Sequence, residues 1–558
     1  MNMEDFRNSL LKYLFLEKSL EEEEEEKRKR MTREEKMQNN LLLVDVTIRS
    51  HKEDVYELVV PDNYSKMRAG DRIILTQDAS DSVYEATILD VYFDIVTISC
   101  NRQLPLEASY SIEQKSPLLL QSLISCLDGI YDGIPGAAFL RLLAGEDEFE
   151  SPDFMKVDIR DVPGFEGIRK MLNEEQLSAV ASMMEYPPVH VLQGPPGTGK
   201  TAVLAATAIA SAHLNREVVI IANTHHAVNV ALSKIRSLDS KATLIKVGTV
   251  LKAEDLDGSI LTFERFNDYY EYSYKNRKKK RYGHIIGMTI WGAVSYLGLR
   301  HHAHFRPYHA LIDEASLMPL SLASILGKTA PSICLFGDSR QMPPIFHKEL
   351  ESKDESISIL DFCQQKVVGV PVKVLHSTYR MNEDITKVVS SSFYEPFGIK
   401  LISRVSAKDS GLHLNCIEDF PAVEFRTVED ALSEESNIKE AREIASLITD
   451  LQDEGLSSSD MAVITPFRKQ VKTIREVVKE ETGVSDILID TVERLQGQDV
   501  EIIILSFATS SPIYIEKMKT FLFNPNRLNV MLSRAKKKVI IFSSPGVAQE
   551  LKSILKID

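Results

Sequence analysis

The spacing of apolar residues changes character along the chain, and each change predicts a different element. Residues 1–40 place Leu10, Leu11, Leu14 and Phe15 ahead of six consecutive Glu (21–26) and a Lys-Arg-Lys-Arg run (27–30). The pairs Glu23/Lys27, Glu24/Arg28, Glu25/Lys29 and Glu26/Arg30 stand four apart with the acid first, the favourable order on a helix. One long helix with a solvated, stalk-like face is predicted here. Residues 41–115 switch to short β-rich runs at 41–48, 56–60, 72–76, 84–89 and 95–98, separated by Pro61-Asp62-Asn63, Ala69-Gly70-Asp71 and a polar turn at 78–82. Five such strands predict a small β-barrel. Residues 116–175 read as mostly helical, broken at Pro135-Gly136 and Pro163-Gly164.

From residue 176 the pattern alternates. Apolar strands are predicted at 189–192, 218–221, 310–312, 333–336, 372–375, 462–464, 502–505 and 539–542, with helical stretches between many of them. That is the signature of α/β domains with parallel sheets. Eight strands over this length divide better into two domains than one, with a seam near 345–370. The predicted layout is a stalk at 1–40, a barrel at 41–115, a first α/β domain at 116–355 with an insertion at about 251–283, and a second at 356–558.

Composition narrows the class. The chain has 558 residues, 44% hydrophobic and 26% charged, ordinary values for a globular protein. No apolar run reaches the ~18 residues of a spanning helix, so a membrane protein is not expected. Glu4 and Asp5 stand where a secretory leader would be basic and then apolar. The five cysteines are scattered, with no Cys-x-x-Cys pair to suggest a disulfide framework or a thiolate zinc site. A reducing compartment fits, cytoplasmic or, in a eukaryote, nuclear. The net charge of −15 argues weakly against nucleic acid, but a local basic channel can sit on an acidic body.

The chemistry begins after the strand at 189–192. Gly194-Pro195-Pro196-Gly197-Thr198-Gly199-Lys200-Thr201 fits the phosphate-loop pattern G-x-x-x-x-G-K-[ST] and precedes an Ala-rich helical stretch. Glycines let backbone N–H groups curl around phosphates, and the helix N-terminus favours negative charge. Lys200 is expected to reach the β- and γ-phosphates of ATP, and Thr201 to hold Mg²⁺. Asp313-Glu314-Ala-Ser316 follows the strand at 310–312. There Asp313 is the second candidate for Mg²⁺ and Glu314 the base that deprotonates an attacking water. Gly337-Asp338-Ser-Arg-Gln341-Met-Pro343-Pro344 follows the strand at 333–336, with Gln341 suited to sense the γ-phosphate. Beyond the seam, Arg380 in His376-Ser-Thr-Tyr379-Arg380-Met381-Asn382 and Arg534 in Asn526-Arg527-Leu528-Asn529-Val-Met-Leu-Ser533-Arg534-Ala-Lys536 fit cations that stabilise charge on leaving phosphates.

This ordered set resembles the superfamily 1 helicases, and the subgroup with the up-frameshift helicase of nonsense-mediated decay, senataxin and the immunoglobulin-μ-binding helicase. The likeness runs from Gln176 through the phosphate loop, Asp-Glu-Ala-Ser, Gly-Asp-x-x-Gln-x-Pro-Pro, Tyr-Arg-Met, Thr465-Pro-Phe-Arg-x-Gln470, Gln496-Gly-x-Asp499 and the Arg534 segment. It is strong over 173–544 and rests on layout alone over 1–115. It implies two tandem RecA-like domains that bind ATP between them and single-stranded DNA or RNA across their tops. It also implies that Gln176 contacts adenine, Tyr379 flanks the base and Asp499 stands near the ribose. The activity implied is an ATP-dependent helicase or translocase moving 5′ to 3′. The other reading is a nucleic-acid-stimulated ATPase that clamps or remodels complexes without unwinding.

Candidate nucleic-acid contacts are Thr224, His225 and Thr289, just after strands. Lys278 and Lys279 join them, in a Lys-Asn-Arg-Lys-Lys-Lys-Arg run (275–281) preceded by Tyr269, Tyr270, Tyr272 and Tyr274. The plain alternative for this run is a solvated basic loop. His301, His302, His304 and His309 lack a Cys or acid at ligand spacing and read as loop residues. The stalk and the barrel are the candidate surfaces for protein partners.

Overall fold

The computed structural model describes every residue except 1, 62, 64, 66, 68–70, 81, 93, 116–118, 129–132, 148–157, 186–187, 249–252, 254–255, 265, 277–282, 298–306, 407–411, 413, 419–420, 485, 493–498 and 558. The N-terminal segment is two helices, Met3–Arg30 and Arg33–Gln38, where one was expected. Thr32 separates them. Its hydroxyl accepts the Glu35 N–H, and the Glu35 carboxylate accepts the Thr32 N–H, a complete capping box that starts a new helix. Two of the four expected ion pairs form, Arg28 to Glu24 at 3.5 Å and Lys29 to Glu25 at 3.3 Å. The start of the first helix is no solvated stalk. Phe6, Leu10, Tyr13, Leu14 and Leu20 are buried in the core of the first α/β unit, against helices Leu119–Asp128 and Ala137–Ala144.

The barrel has six strands, β1 (Leu42–Lys52), β2 (Val55–Val59), β3 (Arg72–Gln77), β4 (Val83–Tyr92), β5 (Ile95–Ser99) and β6 (Tyr110–Lys115). They close in the order β1-β2-β5-β4-β3-β6, every pairing antiparallel. The sixth strand, absent from the sequence reading, makes the closure by pairing with both β1 and β3. It alternates Tyr110 and Ile112 inward with polar residues between, a pattern too short to stand out without its partners. Tyr56, Leu58, Ile73, Leu75, Ile88, Val96 and Ile98 fill the interior with them.

The first motor sheet contains β7 (Val189–Gln193), β8 (Val218–Ala222), β9 (Leu244–Val247), β10 (Leu261–Phe263), β11 (Ile285–Thr289), β12 (His309–Ile312), β13 (Ser332–Gly337) and β14 (Val372–Val374). The order is β10-β9-β11-β8-β12-β13-β7-β14, all parallel. Apolar clusters cover both faces, as a parallel sheet requires. β10 lies within the expected insertion at 251–283, so part of that stretch is the edge of the sheet itself. β14 moves the seam. It was expected close behind the boundary, yet it pairs with β7, and the preceding helix Ile359–Lys366 packs in the first core. Residues 356–374 therefore sit with the first sheet.

A short ribbon, β15 (Ser377–Thr378) with β16 (Ile402–Ser403), follows the crossing. The second sheet has β17 (Val423–Thr427), β18 (Met461–Ile464), β19 (Leu488–Asp490), β20 (Val500–Ser506) and β21 (Ala535–Ser543), parallel in the order β17-β21-β20-β18-β19. Apolar clusters again cover both faces. Two parallel α/β sheets preceded by a helical segment and a small barrel match the predicted fold class.

Candidate active site in the cleft between the two sheets

The phosphate loop, the Asp313-Glu314 pair and Gln341 each follow the C-terminal end of a strand, while Gln176 lies in helix Glu174–Met184. The phosphate loop joins β7 to helix Lys200–His213. Gly197 and Gly199 hold φ of +70° and +87°, the left-handed region that bends the loop back on itself. A side chain at Gly199 would meet Gln176 Nε2 at 2.5 Å, and one at Gly197 would meet Arg380 Cβ at 2.5 Å. Thr198 Oγ1 donates to the Pro195 carbonyl, and the Lys200 ammonium folds onto the Gly194 carbonyl. Thr201 lies in the first helical turn, half-buried.

Asp313 and Glu314 follow β12, which lies one strand away from β7, across β13. Asp313 is buried, and its N–H donates to the Ile221 carbonyl of β8. Burial and the neighbouring Glu314 carboxylate raise the Asp313 carboxyl to about 7, while Lys200 pulls the other way. Lys200, Asp313 and Glu314 thus share one electrostatic environment. Glu314 holds φ of +53°, uncommon for a residue with a side chain. A buried carboxylate and a hydroxyl beside a phosphate loop are a suitable oxygen donor set for a hard divalent cation, whose charge would bring Asp313 back down.

The second unit reaches into this cleft. The Tyr379 N–H donates to the Gly197 carbonyl at 2.9 Å, and Thr378 Oγ1 to the Pro196 carbonyl at 2.9 Å. The Arg380 guanidinium is half-buried, with Nε 3.5 Å from Asp499 Oδ2 and Nη1 donating to the Ser533 carbonyl at 3.2 Å. Arg534 donates to Gln341 Oε1 at 3.2 Å. Burial and the adjacent Arg380 lower Arg534 to about 10, against the pull of Glu314 and Asp499. Its Nε is buried with no hydrogen-bond partner among the described residues. A buried guanidinium with an unused donor, set beside a second cation, is costly unless a further anion joins it. A polyphosphate fits that need.

The residues assigned to the base and the ribose make contacts within the protein. Gln176 caps its own helix, accepting the Asn173 N–H at 3.1 Å, and donates to the Thr198 carbonyl at 3.0 Å. Tyr379 is half exposed, and its hydroxyl accepts from Asn173 Nδ2 at 2.7 Å. Asp499 pairs with Arg380.

Asp338 forms a feature that sequence reasoning quoted but did not use. It is fully buried and takes four donors. Oδ1 accepts Gln193 Nε2 at 2.6 Å and the Arg340 N–H at 3.0 Å. Oδ2 accepts Gln341 Nε2 at 2.7 Å and the Tyr394 hydroxyl at 2.6 Å. Tyr394 carries no motif signal of its own. The quoted Asn529 reaches the same cluster.

The nucleic-acid candidates lie on neighbouring strands of the same edge. Thr224 follows β8, and its hydroxyl caps helix His225–Leu238 by accepting the Ala227 N–H at 3.1 Å. His225 is half-buried beside Gly248. Thr289 ends β11, is buried, and accepts the Gly292 N–H at 3.1 Å. Lys278 and Lys279 lie outside the described residues, as do His301, His302, His304 and 493–498. Tyr269 is buried against Phe263, Phe266 and His284, so it packs the fold and offers no stacking face. His309 is buried in β12 with Nδ1 2.9 Å from Ser332 Oγ. Among the described residues no cluster could hold a metal through three His, Cys, Asp or Glu side chains, and no helix is long and apolar enough to cross a membrane.

Known proteins share these units. Residues 171–350 and 356–545 each match a family described as an AAA domain. The Schizosaccharomyces pombe DNA replication ATP-dependent helicase/nuclease dna2 is 29% identical over 67% of this chain and 28% of its own length. The DNA polymerase alpha-associated DNA helicase A of the same yeast is 26% identical over 71% of this chain and 67% of its length. The human RNA helicase Mov10l1 is 25% identical over 72% of this chain and 35% of its length. The match thus spans only about a quarter to two thirds of each relative.

Proposed function

We propose that this chain is an ATP-driven motor of superfamily 1 that moves along single-stranded nucleic acid and separates strands, travelling 5′ to 3′. The paired ATPase units and the helicase relatives support the superfamily and an ATP-hydrolysing enzyme. The subgroup with the up-frameshift helicase and senataxin remains part of the proposal, carried by the motif order. The observation that carries the activity is the convergence of Arg380 and Arg534, from the second unit, on the Gln341 and Glu314 end of the phosphate-loop sheet.

In this reading Lys200 draws the β- and γ-phosphates of ATP into the loop. Thr201 and Asp313 are the residues that would hold Mg²⁺, which neutralises phosphate charge when bound. Glu314 accepts the proton of the attacking water. Gln341 orients on the γ-phosphate, and Arg380 and Arg534 stabilise the charge that develops as it leaves. Tyr379 flanks the base from the half-exposed side, with Gln176 and Asp499 beside the base and ribose. The strand passes Thr224, His225 and Thr289, and Lys278 and Lys279 approach its phosphates. Closing and reopening the cleft in each cycle shifts the grip between the two units.

The test is steady-state ATP hydrolysis by the full chain alone, with single-stranded DNA and with single-stranded RNA, at fixed salt. Lys200→Ala serves as the blank. Stimulation of at least tenfold by one polymer is expected and names the track. Equal turnover by wild type and Lys200→Ala would sink the site. A strand-displacement assay then separates unwinding from remodelling without unwinding.

A further inference from the structure

The second unit touches the γ-phosphate end of the cleft at a point the proposed chemistry does not use. Tyr394 belongs to a single π-helical turn, Ser390–Tyr394, an uncommon element often retained at functional positions. Its ring is wholly buried. Its hydroxyl donates to Asp338 Oδ2 at 2.6 Å and accepts from Asn529 Nδ2 at 2.8 Å. The same Asn529 amide donates to the Arg340 carbonyl at 2.7 Å, while its Oδ1 is buried with no partner among the described residues. Asn526 Nδ2 donates to the Gln341 carbonyl at 2.6 Å.

The circuit has a particular form. Asp338 Oδ2 receives two donors, Gln341 Nε2 from its own unit and the Tyr394 hydroxyl from the other. The opposite end of the Gln341 amide receives Arg534. A planar amide held at both ends has one orientation. One end depends on Arg534 directly, and the other depends on an oxygen shared with Tyr394. Burial and the Asp338 carboxylate push the Tyr394 phenol well above its usual range, so it stays a donor at any working pH.

We infer that Tyr394 is a positioning residue, not a catalytic one, through which docking of the second unit sets the orientation of Gln341. When the units separate, the phenol leaves Asp338 Oδ2, and the carboxylate loses one of its four donors in a buried site. Gln341 is then free to follow the carboxylate. Docking restores the hydrogen bond and returns the amide to one orientation. Turnover is thereby tied to closure of the cleft, beyond the charge that Arg380 and Arg534 bring.

This inference rests on the motor reading, and Tyr394→Phe tests it with the ring retained. Four quantities are measured on the full chain: ATP affinity with a fluorescent analogue, kcat with and without single-stranded nucleic acid, KM, and the thermal midpoint. The expected result is affinity and KM within threefold of wild type, a thermal midpoint within a few degrees, and kcat lowered at least tenfold. Asn529→Ala should lower kcat similarly, and the double variant should fall no further than the worse single one, as members of one circuit do. Wild-type kcat in Tyr394→Phe would overturn the inference while leaving the motor intact. So would kcat, KM and midpoint falling together, which marks a structural role. Additive losses in the double variant would also overturn it. No turnover above the Lys200→Ala blank in wild type would instead refute the motor reading itself.

Discussion

At the ends of β7, β12 and β13 the first sheet presents Lys200, Asp313, Glu314 and Gln341, while its other strands β8 and β11 end in Thr224 and Thr289. The building plan is the same at both places, a parallel strand whose C-terminal end carries polar residues just beyond the core. The outcome differs. Around the nucleotide end, side chains cross the cleft to partners on the second unit, and the buried Arg534 keeps one donor without a partner among the described residues. Along β8 and β11, the hydroxyls are engaged in capping the helices that follow them. The first arrangement makes function depend on particular side chains. In the proposed motor, the second would present helix N-termini and backbone N–H groups to a nucleic-acid strand, and these attract phosphate whatever the base.

The largest expected effect tests the nucleotide end. Glu314→Gln should retain ATP binding and lose ~10²–10⁴ in kcat, the scale of a removed general base. Equilibrium binding beside single-turnover hydrolysis checks it, and turnover within threefold of wild type would remove Glu314 from the chemistry. Next comes acid. His190 lies at the start of β7, and burial lowers its imidazole to about 4 from an ordinary 6.5. The folded state therefore binds fewer protons than the unfolded chain between those values. Stability should be full above pH 6.5 and fall by ~3 kcal/mol as pH drops towards 4, with buried His309 acting in the same direction. Urea titrations at several pH values measure it. His190→Gln should flatten the slope; an unchanged slope would assign the acid sensitivity elsewhere.

Gly197→Ala sharpens the contrast from the cross-domain side. It combines a left-handed φ with a Cβ 2.5 Å from that of Arg380. A cost of ~1–2 kcal/mol in closing the cleft is expected, read as roughly a tenfold loss of kcat. Unchanged kcat would mean the contact between the units is not needed for turnover. The smallest effect belongs to the β8 end. Thr224→Ala should cost ~1 kcal/mol of stability through the lost cap, while strand affinity in a polarisation titration changes less than fivefold. A much larger loss of affinity at unchanged stability would show the hydroxyl itself gripping the strand, and the contrast between the two ends would fail.

Several elements were legible without coordinates because their signal is local. The phosphate loop announces itself through glycine spacing and the lysine that must follow. Strands such as β8 and β13, buried on both faces, read as continuous apolar runs. β6, β9, β10, β15, β16, β17 and β19 were missed, and β11 entered only as the strand ahead of Thr289. Their residues are ordinary, and only pairing with a neighbour makes them strands. The break at Thr32 was visible in principle, since Thr-x-x-Glu is a capping box, but the charged run around it reads as uninterrupted helix. Asp499, placed by analogy near the ribose, also has a carboxylate oxygen 3.5 Å from Arg380 Nε, a contact made across more than a hundred residues.

What the order of residues determined by itself is the chemical inventory: a phosphate loop, an acid pair and a glutamine amide, each tied to a strand end by hydrophobic period, and two arginines. Such information is short-range, carried by backbone freedom and by which face a side chain takes. Only the tertiary structure decided which of these groups meet. The seating of β14 beside β7, the burial of the N-terminal helix in the first core, and the junction of Tyr394 and Gln341 on one oxygen of Asp338 all join residues distant in sequence. Their cause is strand pairing, core burial and hydrogen bonding between distant segments, a property of the whole folded chain.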